Sequence, residues 1–109
     1  MGSEAKAPKN LSREGKNLWR KIQGEYQITD EAGLLILATA CEAFDRMRLS
    51  QEILKKEGMA TTDRFGQAKA HPMTTVERDS RTAMLAALKQ LNLDIEPLRD
   101  GPGRPPGRR

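Results

Sequence analysis

The run Ala32 to Phe44, AGLLILATACEAF, constrains the fold of this chain more than any other feature. Wound as a helix at ~100° per residue, it is apolar on nearly every side, which a helix exposed along one face should not be. Its start is marked by Thr29 as N-cap, with Asp30 and Glu31 behind it where the helix dipole favours carboxylates. The helix is expected to continue to about Lys56, with Gly58 as a left-handed stop. Its second half is amphipathic, with Met47, Leu49, Ile53 and Leu54 set among charges. Such a helix is ~40 Å long at ~1.5 Å per residue, more than one neighbouring helix can cover. Leu34, Leu35, Leu37 and Phe44 are therefore expected to supply both core and subunit contacts. The run is too short to cross a bilayer.

The other elements follow from shorter signals. Ser12 is a suitable N-cap for a first helix to Tyr26, with Glu14 in its first turn. Leu18, Trp19, Ile22 and Tyr26 share one face of it, while Arg13, Lys16 and Arg20 share the opposite face. Gln27, Ile28 and Thr29 form the turn to the long helix. After it, Met59 to Ala70, MATTDRFGQAKA, breaks helical periodicity and reads as a short β-hairpin or polar loop. A closing helix starts near Pro72, with the stripe Met73, Val76, Ser80, Met84, Leu88 and Leu91, and ends at Asn92. The chain of 109 residues thus divides into a flexible segment 1–10, a helical domain 11–98 and a flexible Pro/Gly/Arg tail 99–109. The expected class is mainly α: a helical hairpin built on a long central helix, a short β-hairpin or loop, and a closing helix. Four aromatic residues leave the core to Leu, Ile, Met and Ala, a composition that favours helices.

Function has to come from surfaces, because the inventory for catalysis is missing. One histidine and one cysteine stand far apart, and Cys41 lies in the most apolar run, where it reads as core. His71 before Pro72 reads as a capping or surface residue, and Ser80 has no base beside it. The acidic residues are expected on solvated helix faces. No phosphate-binding glycine loop, metal-ligand spacing or signal segment occurs, so no enzyme activity, cofactor, metal, membrane or small-molecule substrate is expected. Charge is more telling. The net charge is +4; residues 1–30 carry six Lys/Arg against four acids, and residues 99–109 carry four Arg against Asp100. Basic ends on a near-neutral body point to an acidic partner, with nucleic acid first. The expected phosphate contacts are Lys9, Arg13, Lys16, Arg20 and Lys21, with Arg104, Arg108 and Arg109 in the tail. Gly103-Arg104-Pro105 also looks like one degenerate minor-groove hook. A helix-turn-helix made of the first two helices is rejected, because the second is apolar where a recognition helix must be polar and exposed.

The order of these features resembles one protein family. LSREGKNLWRKI looks like the opening helix of the prophage-encoded type of phage terminase small subunit, and ITDEAGLLILATACEAFDRM is similar to its next helix. The 58–72 segment and ERDSRTAMLAALKQLNL resemble its hairpin and closing helix. The chain departs from the family in its short basic lead, Ala5 to Asn10, and in ending its last helix at Asn92 rather than glycine. The resemblance implies a ring-forming homo-oligomer in the cytoplasm of the bacterial host. It further implies double-stranded DNA and the terminase large subunit as partners, the latter supplying ATPase and nuclease. The alternatives are a structural head-assembly or connector protein without DNA affinity, and a small dimeric DNA-binding regulator.

Overall fold

The computed structural model describes residues 5–93. Arg104, Arg108 and Arg109, the tail and the expected end of the helical domain lie outside the described residues. Element order is α1 (Arg13–Tyr26), α2 (Glu31–Glu57), β1 (Ala60–Thr62), β2 (Ala68–Ala70) and α3 (Pro72–Leu91). The fold is mainly helical, as expected, with a hairpin rather than a polar loop between the last two helices.

Each boundary has a local cause. Ser12 caps α1, its hydroxyl accepting from the Gly15 N–H at 3.4 Å. A second acceptor arrives from α2: the Asp45 carboxylate takes the Ser12 N–H at 2.7 Å and the Ser12 hydroxyl at 2.5 Å. This places a carboxylate at the positive end of α1. Gly15 makes the approach possible, since a Cβ there would stand 2.6 Å and 2.7 Å from the two Asp45 oxygens. At the other end of α1, Gln27 takes the left-handed conformation and returns its N–H to the Gln23 carbonyl. The buried Gln23 side chain then brackets Ile28, accepting its N–H at 2.6 Å and donating to its carbonyl at 2.9 Å.

This bracket moves the start of α2 one residue past the expected Thr29. Asp30 is the N-cap, its carboxylate accepting from the Gly33 N–H at 2.8 Å, while Thr29 stays exposed. The connection therefore runs from Gln27 to Asp30. At the far end of α2, Gly58 has φ +87° and ψ 158°. It stops the helix as expected, but in an extended, positive-φ conformation that is almost exclusive to glycine, not in the left-handed helical one. β1 and β2 pair antiparallel with Ala60 opposite Ala70, Thr61 opposite Lys69 and Thr62 opposite Ala68. Asp63 stitches the turn, its Oδ1 accepting from the N–H groups of Phe65 and Gln67 at 2.8 Å and 2.9 Å. His71 is a cap, as expected: Nδ1 accepts from the Met73 N–H at 3.0 Å, and Nε2 lies 2.6 Å from Glu57 at the end of α2. That leaves the ring proton on Nε2, pointing at the carboxylate.

α2 lies antiparallel to α3, as the pairs Glu57 with His71 and Gln51 with Glu77 show. Buried Ala40, Ala43 and Ala87 keep the helix surfaces low where the core is formed. The central cluster is Leu11, Trp19, Ile22, Leu37 and Cys41, and Leu34, Leu88 and Leu91 pack against it. One expectation fails: not all acids lie on solvated faces. Glu77 is 9% exposed and Asp45 half-buried. Each is drawn inward by donors that sequence spacing does not place beside it, Gln51 for Glu77 and the α1 N-terminus for Asp45. A polar chain results across all three helices, from Glu14 to Arg48 to Gln51 to Glu77 to Arg81. The Gln51 amide, and then the Arg81 guanidinium, hold the Glu77 carboxyl below its ordinary pKa.

Two outcomes are expected in denaturant and thermal unfolding. Gly15→Ala is destabilising, by about 1–3 kcal/mol, because Asp45 must withdraw from the α1 N-terminus. Gly24→Ala, on the same helix with nothing near its Cβ, is stabilising by about 0.5–1 kcal/mol. Glu77 binds its proton less readily folded than unfolded, so its stabilising share is full at neutral pH and is lost as pH falls below the ordinary carboxylate range. Glu77→Gln should accordingly lose less melting temperature between pH 5 and pH 3 (roughly the span where carboxylates protonate) than the parent chain.

Candidate nucleic-acid interface

The amphipathic phasing of α1 decides where its cations stand. Gly15, Trp19, Ile22 and Gln23 are buried against α2, so Arg13 and Arg20 project outward, with Lys16 half-buried at the edge of the same face. Lys9 and Lys21 are exposed beside them. Among the described residues, none of Lys9, Arg13, Lys16, Arg20 and Lys21 forms an ion pair. Arg20 is steadied by a neutral partner, donating from Nη1 to the Asn17 side-chain oxygen at 2.9 Å. Among the described residues, helix α1 therefore presents a positive face whose cations form no ion pairs.

Of the concavities that border this helix, one of about 640 Å³ between the preceding segment and α2 has Lys6 and Glu31 as its charged lining, and two others differ in kind. A cleft of about 590 Å³ at its N-terminus is lined by Arg13, Arg46 and Arg48 but also by Glu14, Asp45 and Glu52. Its charges largely answer one another, with Arg48 paired to Glu14 at 2.9 Å. The second, a groove of about 380 Å³, lies between α1 and the segment before it, and its charged lining among the described residues is Lys6, Lys16 and Arg20, without a carboxylate. Sequence reasoning missed Lys6 and Arg46. Arg46 comes near Arg13 only through the crossing of α1 and α2. Lys6 sits in a segment whose placement depends on the Trp19 indole, which donates to the Ala5 carbonyl at 3.2 Å.

The residues expected at subunit contacts separate by exposure. Leu37 is wholly buried in the chain's own core, and Leu34 and Phe44 are half-buried. Leu35 is 69% exposed. Leu49, 62% exposed, lies two heptads along the same stripe of α2, and Leu85 is exposed on α3. The sequence singles out Leu49 only as an apolar member of the amphipathic second half of α2, and does not single out Leu85.

Chemistry at the remaining reactive groups is limited by burial. Cys41 has no exposed surface; burial, then the charges of Asp45 and Glu42, push its thiol up to about 12. Among the described residues there is no cluster of three or more His, Cys, Asp or Glu side chains able to hold a metal ion, and no helix long and apolar enough to cross a membrane.

Comparison with known proteins adds one match. The family profile described as "Phage terminase, small subunit" matches residues 15–97. No curated protein and no solved structure matches the chain.

The state of Cys41 is open to direct measurement. A thiol-disulfide reagent at mildly alkaline pH should leave the native protein unmodified and label one thiol promptly once the chain is unfolded in urea. Rapid labelling of the native protein would contradict the buried, protonated thiol.

Proposed function

The chain belongs to the phage terminase small-subunit family, with a role in phage DNA packaging, and from that premise we propose that it is a non-catalytic DNA-binding subunit. It holds viral duplex DNA and regulates the large subunit that carries ATPase and nuclease, acting in the cytoplasm of the bacterial host. The single observation that supports the DNA contact is the positive face of α1, whose cations have no acidic partners among the described residues. Lys9, Arg13, Lys16, Arg20 and Lys21 meet backbone phosphates there, and Arg104, Arg108 and Arg109 of the tail add to them. Such contacts fix position on the duplex without reading its bases. The same chain assembles as a ring of copies, with Leu35 as the exposed member of the expected interface set and Leu34 and Phe44 at its edge. Leu37 serves that interface only indirectly, from the core beneath it.

Two measurements test this reading. Duplex binding followed across a salt series should give a log–log slope of about −0.9 for each phosphate neutralised. The triple variant Arg13→Ala, Lys16→Ala, Arg20→Ala should bind at least about tenfold more weakly at low salt with unchanged helicity. An affinity indifferent to salt overturns the electrostatic contact. Solution mass should correspond to a ring of many subunits and fall for Leu35→Glu. A clean monomer without DNA affinity instead favours a structural head component.

A further inference from the structure

The segment that precedes α1 is tied to that helix through Trp19. Trp19 is 4% exposed, yet its indole N–H is not left inside the core; it reaches out to the Ala5 carbonyl at 3.2 Å. Ala5 and Ala7 in turn pack against the central cluster. This holds residues 5–7 alongside α1 as a strap and sets Lys6, itself exposed, across a groove from Lys16 and Arg20. The other polar side chain in the lining, Gln23, is committed at both ends to the backbone of Ile28. Among the described residues, what the groove offers a ligand is therefore three cations and no carboxylate.

We propose that this groove seats one backbone phosphate of duplex DNA, with Lys6 as a binding residue and Trp19 as the residue that positions it. The proposal rests on the DNA-binding reading above and adds to it a defined seat and a contact outside α1. Charge selects this groove over the concavity shared with α2, which Glu31 lines together with Lys6, and over the cleft at the α1 N-terminus. There Glu14, Asp45 and Glu52 lie among the arginines, and a phosphate entering would meet three carboxylates. In the strap groove it meets none among the described residues. The phosphate of a duplex fits the setting because the groove opens beside the exposed Arg13–Arg20 face, where neighbouring phosphates of the same strand find further cations.

Trp19 is the one tryptophan of the chain and lines the groove, so its emission reports on the surroundings of the strap. The full chain is titrated with a short duplex at low salt while Trp19 emission and, separately, the anisotropy of a label on the DNA are followed. The expected result is an emission change that saturates with anisotropy. Lys6→Ala should weaken binding about threefold and reduce the salt slope by about 0.9, with thermal unfolding unchanged. Trp19→Phe keeps an aromatic ring but loses the indole N–H. Read by anisotropy, it should lower affinity by itself and leave Lys6→Ala with little further effect. If Lys6→Ala binds like the parent while Arg13→Ala binds more weakly, the groove is overturned and the DNA-binding reading stands. If the parent chain binds no duplex even at low salt, both fall together. If inorganic phosphate at matched ionic strength shifts Trp19 emission and duplex does not, the groove belongs to a free anion and the proposal is overturned.

Discussion

The carboxylate of Asp45 holds the molecule together at the point where its helices meet. It comes from the middle of α2 and lands on the N-terminus of α1, accepting from both the N–H and the hydroxyl of Ser12. Three requirements converge on it: an unpaired helix terminus needs an acceptor, a half-buried carboxylate needs donors, and the crossing needs a residue without a side chain, Gly15. Because α1 is fixed by this contact and by the Trp19–Ile22 edge of the core, its phase about its own axis is fixed too. That phase turns Arg13 and Arg20 outward and leaves Lys16 beside the strap. The cationic surface is thus a consequence of one carboxylate's placement as much as of the cations themselves.

The body is held by two systems with different reach. The apolar cluster around Leu37 and Cys41 is compact and lies toward the α1–α2 turn. Toward the hairpin the apolar contacts thin, and polar chemistry takes over: Ser12 with Asp45, Glu14 with Arg48, Gln51 with Glu77, and His71 with Glu57. Exposed ion pairs contribute little singly. Linked through Gln51 they do something pairwise contacts cannot, which is to tie the rotation of α1 and α3 to that of α2. A chain with few aromatic side chains gains specificity of packing in this way without more core volume.

Much of this was legible in the sequence, and the failures share one cause. Ser12, His71, Pro72 and Asn92 act within a few residues of themselves, so local spacing located both ends of α3 and the start of α1. The start of α2 went to Thr29 instead of Asp30 because the deciding contact, Gln23 with Ile28, is a side chain folding back on a turn that has no periodicity to reveal it. Asp45 and Glu77 looked like surface acids because their donors lie on other elements. Lys6 looked like part of a loose lead because the tie between Ala5 and Trp19 joins residues fourteen apart that no helical or strand period relates. The order of elements was readable; which polar groups face one another across them was not.

The hairpin between α2 and α3 has a property that follows from its ends. Its base is closed by the His71 N–H on the Met59 carbonyl and by the Glu57–His71 contact, and its tip by Asp63 and Gly66, leaving Phe65 and Arg64 outside. Doubling the length of such a loop costs only about 0.6 kcal/mol in closure entropy. The tip is therefore where this fold can lengthen, diversify or accept foreign sequence while the three-helix body keeps its register.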